Sequence, residues 1–563
     1  MTAATSTRHA SPRSRRRRAF DALFLRALKL PRAQNDVTRT HDLPVVMRDG
    51  SVLLADHLAP VGPARGTILI RGPYGYGVLG TAAFGGLLAG YGYHVVLART
   101  RGTFGSGGRF VPFSREVDDG ADTVEWLRRQ PFFTGRFATF GGSYLAFTQW
   151  AMLMDPPSDL ATCVMQCAPH DMGRAVHAGG AVNVDTWLTW DRQVTHQEDV
   201  SELGALLRAP ATGRRVLQAS RTLPLQDASA GLSHGRKTWF PEWVSHRDVT
   251  DPYWSGSQLR AALDQVEVPV LLQTGWQDLF LDQTLEQYAR LAERGVQVGL
   301  TIGPWTHQSI VAQGYRTVIP ETLDWLAQHL DAPAPAATGR KRPGVRVQLS
   351  GSKESRELPS WPPPADQRSF HPHADGSLRD QPAGIDSPPA TFTYDPRDPT
   401  PSIGGPMLSP RLGGYRNDTE LSARQDVVSF TSVPLTEPLY AIGVPVVDLL
   451  HSSDNPHADI FVRLSEVDSR GRSRNVSDGF VRLSTAKDNG ASPVTIHLWA
   501  VAHRFAAGNR IRLVVAGGSF PRFERNLGTG QNLSTSTATA TSTRTVRLSG
   551  SRLTLPIVAP MSP

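Results

Sequence analysis

Cysteine is scarce in this sequence, and long apolar runs are missing. Only Cys163 and Cys167 occur in 563 residues, too few for a disulfide framework and too close in sequence for a metal site of their own. We expect both cysteines to lie on a buried strand and to face the core. No apolar run reaches the roughly 18 residues of a membrane span, so we expect no integral membrane segment.

Acidic residues are nearly absent from the first 34 positions. Nine Arg or Lys residues stand there against one acid, Asp21, so this segment carries the whole formal net charge of +8 and the remainder is neutral. Such a composition is typical of a solvated, disordered arm, which we place at residues 1–40. The alternative is that this basic arm binds nucleic acid or an anionic membrane. For the rest of the chain we expect no nucleic-acid partner.

The sequence also lacks a complete export signal. Arg15–Arg18 resembles the start of a twin-arginine signal, but Asp21, Arg26 and Lys29 interrupt the apolar stretch that follows. No small-residue cleavage site is evident either. We interpret this stretch as a short amphipathic helix and expect a cytoplasmic protein, with export through the weak signal left open.

The sequence does contain a glycine-flanked serine, set between a short apolar run and residues of helical character at 138–150. Small neighbours such as Gly141 and Gly142 allow the sharp strand-to-helix turn that lifts a serine hydroxyl into solvent. Ser143 is therefore the candidate nucleophile. Because this pattern is also common in ordinary turns, the assignment depends on partners elsewhere.

Two suitable partners lie downstream, each just past a strand-like run. Asp278 follows the apolar run at 268–274, and His307 follows the run at 298–302. Open α/β sheets build their sites at the carboxyl ends of such strands. Serine, acid and then histidine is also the chain order of α/β-hydrolases. The sequence thus predicts an α/β-hydrolase core with the triad Ser143, Asp278 and His307.

Several ordered blocks resemble the cocaine esterase family of α/β-hydrolases, which includes Xaa-Pro dipeptidyl-peptidases and α-amino-acid ester hydrolases. They lie at 47–56, 71–74, 101–108, 275–278, 303–307 and 520–526, and around the serine. In the family a tyrosine hydroxyl lies in the oxyanion hole, and Tyr74 occupies that position. The second donor would be the backbone N–H of Tyr144, directly after the nucleophile. The resemblance implies no cofactor and no metal.

Two positions depart from the family's pattern. Arg99 stands where the family usually has an aspartate, which puts the packing of the local loop and the substrate preference in doubt. Ala146 replaces a glycine three residues after the serine. Alanine is still small enough for close helix packing, so we expect no loss of activity from it.

The patterns predict an α/β-hydrolase core, an inserted helical cap and an all-β sandwich, and the resemblance implies that this all-β domain is a jelly roll. Parallel-sheet patterning stops after about residue 170, and short alternating runs dominate after a Pro- and Ala-rich linker. The predicted parts are the arm at 1–40, the core at 41–170 and 263–332, the cap at 171–262, the linker at 333–344 and the jelly roll at 345–563.

We predict a serine hydrolase that cleaves a carboxylic ester of a small-molecule acyl substrate through an acyl-enzyme. An Xaa-Pro dipeptidyl-peptidase or an amide or β-lactam acylase on the same triad is the alternative. A peptidase of this kind must capture a free α-amino group, for which Glu198, Asp199 and Glu202 are the nearest acidic candidates. A non-enzymatic binding protein is disfavoured by the complete triad, and homo-oligomerisation stays open.

Overall fold

The structure is a computed structural model that describes residues 33–75, 85–199, 202–331, 344–483 and 491–560. Most of the predicted arm and nearly all of the predicted linker lie outside these residues. The last residues of the predicted arm, 37–40, already belong to the first strand. No helix among the described residues is both long and apolar enough to cross a membrane.

A ten-stranded sheet forms the centre of the first half of the described chain, in the order β1-β2-β4-β3-β5-β6-β7-β8-β9-β10. The strands from β4 to β9 in this order run parallel, while β1, β2 and β10 are antiparallel to their neighbours. The bounds are β1 Val37–Val46, β2 Val52–Pro60, β3 Gly66–Gly72, β4 Tyr93–Arg99, β5 Phe137–Gly142, β6 Leu160–Gln166, β7 Val270–Gln277, β8 Val298–Thr306, β9 Val345–Gln348 and β10 Ser355–Leu358.

Helices cover this sheet, and both of its faces are buried. Successive residues of a strand point to opposite faces, so Leu69 packs into one hydrophobic cluster while Ile68 and Ile70 pack into another. The helices of this core are α1 Leu87–Gly90, α2 Glu116–Arg128, α3 Tyr144–Met152, α10 Leu281–Glu293 and α11 Tyr315–His329. The predicted α/β-hydrolase core is confirmed.

A helical insertion separates β6 from β7, in the region where the cap is predicted. Its α-helices within the described residues are α4 Met172–Val176, α5 Val184–His196, α6 Glu202–Ala219, α7 Ala230–Ser233, α8 Phe240–Ser245 and α9 Ala262–Gln265. Helix α5 carries the buried residues Trp187 and Trp190 on the side that faces the core.

The predicted all-β C-terminal domain is also confirmed, as a second, twelve-stranded sheet in the described residues. Its strands enclose a separate apolar core that includes Phe370, Ile460 and Leu513. The bounds are β11 Asp366–Pro372, β12 Ser377–Arg379, β13 Ala390–Tyr394, β14 Val427–Ser432, β15 Leu439–Gly443, β16 Val446–Ser453, β17 Ala458–Val467, β18 Ser473–Leu483, β19 Ser492–His497, β20 Val501–Phe505, β21 Arg510–Ala516 and β22 Ser542–Ile557.

Strand β9, which begins the predicted jelly-roll part, pairs in parallel with β8 of the hydrolase sheet, and β10 pairs with β9. These two strands therefore extend the hydrolase sheet.

Candidate active site

Ser143 lies at the turn between β5 and α3, as predicted. Its backbone has φ 59° and ψ −123°, a conformation that is strained for a residue with a side chain. The turn needs small neighbours, because a Cβ on Gly141 would come within 2.5 Å of the Leu145 Cβ. The Ser143 N–H donates to the Gln166 carbonyl over 2.9 Å. The serine side chain is thereby presented at the carboxyl end of the sheet, partly exposed.

Asp278 and His307 follow β7 and β8 and are in direct contact. His307 Nδ1 lies 2.7 Å from Asp278 Oδ1. The other carboxylate oxygen accepts from the Thr274 hydroxyl at 2.9 Å and from the Phe280 N–H at 3.2 Å. Asp278 is fully buried. Since Nδ1–H donates to the aspartate, the Nε2 atom of a neutral His307 is left as a proton acceptor.

Tyr74 lies next to the serine, with its hydroxyl in the predicted place. That hydroxyl accepts from Trp190 Nε1 at 3.1 Å. Burial raises the pKa of Tyr74 above its ordinary value, although the nearby Trp190 and Ser143 side chains act in the opposite direction. The phenol therefore keeps its proton and remains a donor at neutral pH.

The side chain of Tyr144 points away from the reaction centre and anchors α3. Its hydroxyl donates to Glu116 Oε1 at 2.7 Å and accepts from the Phe113 N–H at 2.9 Å. Glu116 also pairs with Arg71 at 3.1 Å. Burial, followed by the charge of Glu116, raises the pKa of Tyr144 well above its usual range. Only the backbone N–H of Tyr144 is thus left for the predicted oxyanion hole.

Ser143 and His307 open into one pocket of about 330 Å³. Core, cap and all-β domain all contribute to its wall, and none of its described lining residues is Asp, Glu, Lys or Arg. The other lining residues are Phe113, Tyr144, Pro169, Met172, Thr186, Trp187, Trp190, Leu279, Phe280 and Leu408. The pocket is shaped for an uncharged, largely apolar group.

A second, polar recess of about 450 Å³ adjoins this pocket and shares Thr186, Trp187, Leu279 and Phe280 with it. Asp282 faces the recess, and burial raises the pKa of its carboxyl to about 6. The amide oxygen of Asn183, also in the wall, is buried without a hydrogen-bond partner. The recess therefore presents two acceptor groups, and the cationic side chains of Arg174 and Arg522 also line it.

The acidic residues considered for amine capture lie elsewhere. Glu198 accepts from the Phe104 N–H at 2.9 Å, and Asp199 pairs with His196 and Arg236. Neither lines the pocket, and the side chain of Glu202 is outside the described part.

Sequence reasoning missed three residues around the triad, and only weak signals mark them. Trp190 lies in the predicted cap, where a tryptophan by itself does not indicate a contact with the site. Thr274 is the last residue of the apolar run before the acid. Cys167 is buried in the core as expected, and its Sγ also lies within 4.8 Å of ligand atoms of Asp278 and His307, which the sequence did not indicate.

Comparison with known protein families agrees with this architecture. Residues 49–309 match the model of the X-Pro dipeptidyl-peptidase (S15 family), and residues 338–552 match the model of the X-Pro dipeptidyl-peptidase C-terminal non-catalytic domain. The chain is 27% identical over 536 residues to the cocaine esterase of Rhodococcus sp. (strain MB1 Bresler), covering 86% of this chain and 92% of that protein.

Solved structures share the fold across the same span. An aminopeptidase from a marine sediment Thaumarchaeota archaeon superposes with a TM-score of 0.79 at 22% identity. An α-amino acid ester hydrolase superposes with a TM-score of 0.78 at 21% identity. Each comparison covers 94% of this chain and 98% of the other chain.

Proposed function

Because the chain belongs to the family of serine hydrolases that contains the X-Pro dipeptidyl-peptidases and the cocaine esterase, we propose that it hydrolyses carboxylic esters through a covalent acyl-enzyme. The observation that carries this proposal is the 2.7 Å contact between His307 and Asp278, in a pocket shared with a strained, glycine-flanked Ser143.

In the proposed reaction, Ser143 Oγ attacks the ester carbonyl while His307 Nε2 takes the hydroxyl proton. Asp278 holds the ring by its Nδ1–H and stabilises the imidazolium that forms. The Tyr74 hydroxyl and the Tyr144 N–H donate to the developing oxyanion. His307 then protonates the departing alkoxide, and a water molecule attacks the acyl-enzyme by the same path in reverse.

The pocket supports an ester whose acyl group is apolar and uncharged. A protonated amine buried among Phe113, Trp190 and Leu408 would lose its hydration without gaining a counter-charge there, which is costly. Flat aromatic or branched aliphatic acyl groups instead match the aromatic wall.

The adjoining recess favours a second candidate, an ester or peptide whose acyl group carries an amine. Asp282 is a carboxylate within the recess, and its raised pKa of about 6 still leaves it mostly ionised at neutral pH. A substrate long enough to extend past Phe280 would bring an ammonium group to it. This candidate includes the Xaa-Pro dipeptides of the alternative.

Labelling with a fluorophosphonate tests the nucleophile directly. We expect one covalent adduct on Ser143 in the parent and none in Ser143→Ala, whose fold should be intact because only a hydroxyl at a turn is lost. Loss of a triad member typically costs several orders of magnitude in rate. Hydrolysis by Ser143→Ala within about tenfold of the parent would rule out this assignment.

A substrate panel separates the two candidates. If the apolar pocket determines substrate preference, benzoyl and butyryl esters should be hydrolysed faster than aminoacyl esters and Xaa-Pro anilides. If the recess determines substrate preference, the amine-bearing substrates should be hydrolysed faster. Asp282→Asn should then raise KM for the amine-bearing substrates and leave KM for the uncharged esters unchanged. The uncharged esters are the internal control for Asp282→Asn.

A further inference from the structure

Cys167 lies directly behind the proposed triad, in an unusual backbone conformation. It follows β6 with φ 48°, a left-handed conformation that is uncommon for a residue other than glycine. Its N–H donates to the Gln273 carbonyl at 2.8 Å, and only 2% of the residue is exposed. The Cys167 Sγ lies within 4.8 Å of an Asp278 carboxylate oxygen.

Three different ligand atoms converge at this point. The Cys167 Sγ, a carboxylate oxygen of Asp278 and a ring nitrogen of His307 all lie within 4.8 Å of one another. Thiolate, imidazole and carboxylate are the ligands that Zn²⁺ takes in proteins, and a thiolate favours soft ions over Mg²⁺ or Ca²⁺. The Asp278 oxygen that faces Thr274 and Phe280 is held by their hydrogen bonds, an arrangement that orients ligands in metal sites.

The His307–Asp278 half of the site is close to the dimensions that a tetrahedral ion needs, and the Cys167 Sγ lies within 4.8 Å of both. Zn²⁺ bonds of about 2.0–2.1 Å to nitrogen and oxygen separate two ligand atoms by roughly 3.3 Å. The His307 Nδ1 and Asp278 Oδ1 atoms are 2.7 Å apart and need to open only slightly. His307 is the partly accessible member, through the pocket it shares with Ser143, and so gives an ion a way in.

We propose that Cys167, Asp278 and His307 form an inhibitory site for a thiophilic divalent cation, Zn²⁺ or Cd²⁺. The inhibitory part rests on the proposed role of His307 as general base. When the Nδ1 lone pair of His307 binds the ion, the ring proton must reside on Nε2, and Nε2 then cannot accept the Ser143 proton. The Nδ1 proton thus moves to Nε2, the thiol proton leaves to water, and no electron is transferred.

Cadmium provides a readout that does not need activity, because a thiolate–cadmium bond gives an ultraviolet charge-transfer band. Titrating the full chain with Cd²⁺ should produce this band, and hydrolysis of an activated ester should fall in parallel and recover with EDTA. The chain has only one other cysteine, so Cys163→Ala is the matched control. It should keep both the band and the sensitivity to the ion.

Cys167→Ala should lose the band and should need roughly 10- to 100-fold more ion for half-inhibition. Loss of a residue that only hydrogen bonds to a metal ligand already lowers metal affinity by this factor. Each variant is compared with its own metal-free rate. Cys167→Ser, which keeps the volume and the hydrogen bond, should behave in the same way, and fluorophosphonate labelling checks that both are folded.

The results also separate this site from the proposed function. No band in the parent, or an equal band in Cys167→Ala, would overturn the site. A band that depends on Cys167 without any inhibition would support the site and count against His307 as the base.

Discussion

The hydroxyl of Tyr74 accepts from Trp190 Nε1 and lies close to the Ser143 side chain. A phenol in this position helps chiefly when negative charge develops on the carbonyl oxygen. We therefore expect Tyr74→Phe to lower kcat by about 100- to 1000-fold, as loss of other oxyanion donors does, with KM changed little. Steady-state kinetics on one activated ester measures both constants.

Tyr144→Phe is the matched control, because it also removes a phenol hydroxyl close to the pocket. That hydroxyl contacts Glu116 and the Phe113 N–H and not the serine. Loss of this hydroxyl should lower the free energy of unfolding by about 1–3 kcal/mol, because the buried Glu116 carboxylate loses a hydrogen-bond donor. The value of kcat should change by only a few-fold. If both variants show the same small change in kcat, Tyr74 has no part in the oxyanion hole.

Single residues differ in how far the sequence predicts them. The order of serine, acid and histidine can be read from the chain, because each follows a strand. The role of Arg99 cannot be read from the chain, because it depends on partners about 40 to 60 residues away in the sequence. Arg99 pairs with Asp42 at 2.6 Å and with the buried Asp56 at 2.8 Å, and it lines neither the pocket nor the recess. The charge reversal therefore concerns packing at the sheet edge.

At the scale of elements, the cap is joined to the loop that carries Tyr74. Trp190 on α5 donates to the Tyr74 hydroxyl, and Gln197, just after α5, donates to the Pro73 carbonyl at 2.9 Å. A helix that covers the pocket thus also fixes a proposed oxyanion donor. Because Tyr74 accepts the indole N–H, its own proton is left for Ser143 or the oxyanion.

Trp190→Phe tests this coupling, since it removes the indole N–H and keeps an aromatic ring in the wall. Loss of one hydrogen bond of about 1 kcal/mol should lower kcat by roughly fivefold. In a Tyr74→Phe background the same change should have no further effect on kcat, because the acceptor is already gone. A double-mutant cycle of kcat values measures this coupling energy.

Trp187→Phe is the control within the same helix and pocket. Its indole N–H donates to the Ala175 carbonyl at 3.1 Å and not to Tyr74. Its effect on kcat should therefore be the same with and without Tyr74→Phe. If Trp190→Phe is equally independent of Tyr74, the ring acts on the pocket's shape alone.

The elements also show where local patterns stop being informative. The buried strands next to the triad are short, mostly apolar runs, and they are recognisable for that reason. Strand β9 alternates buried and half-buried residues, which fits either an edge of the hydrolase sheet or a sandwich strand. Its pairing with β8 is decided by the tertiary fold, so the sheet it joins cannot be read from its own sequence.

At the scale of the whole molecule, cap and all-β domain meet at one buried carboxylate. Glu524, 3% exposed, pairs with Arg482 of β18 at 2.5 Å and with Arg247 after α8, and it accepts from the Val182 N–H at 3.3 Å. Burial opposes its ionisation, but the two arginines outweigh it and lower the pKa of Glu524 to about 2. The resemblance marked this block, 520–526, but gave it no role.

Glu524→Gln leaves the partly buried Arg247 and Arg482 with one counter-charge fewer, and we expect the free energy of unfolding at pH 7 to fall by about 3 kcal/mol. Glu125→Gln is the control, because Glu125 pairs with Arg128 on the exposed surface of α2. This substitution should lower the free energy of unfolding by less than about 1 kcal/mol.

The effect of Glu524→Gln should depend on pH, because an unfolded glutamate titrates near a pKa of about 4.3. The folded pKa is lower, so the ionised form's contribution is complete above that pH and declines as the pH falls towards 2. Urea unfolding at pH 7 and at decreasing pH should show the difference between parent and Glu524→Gln shrinking. A difference that stays constant down to pH 3 would mean that lost packing, and not lost charge, destabilises the junction.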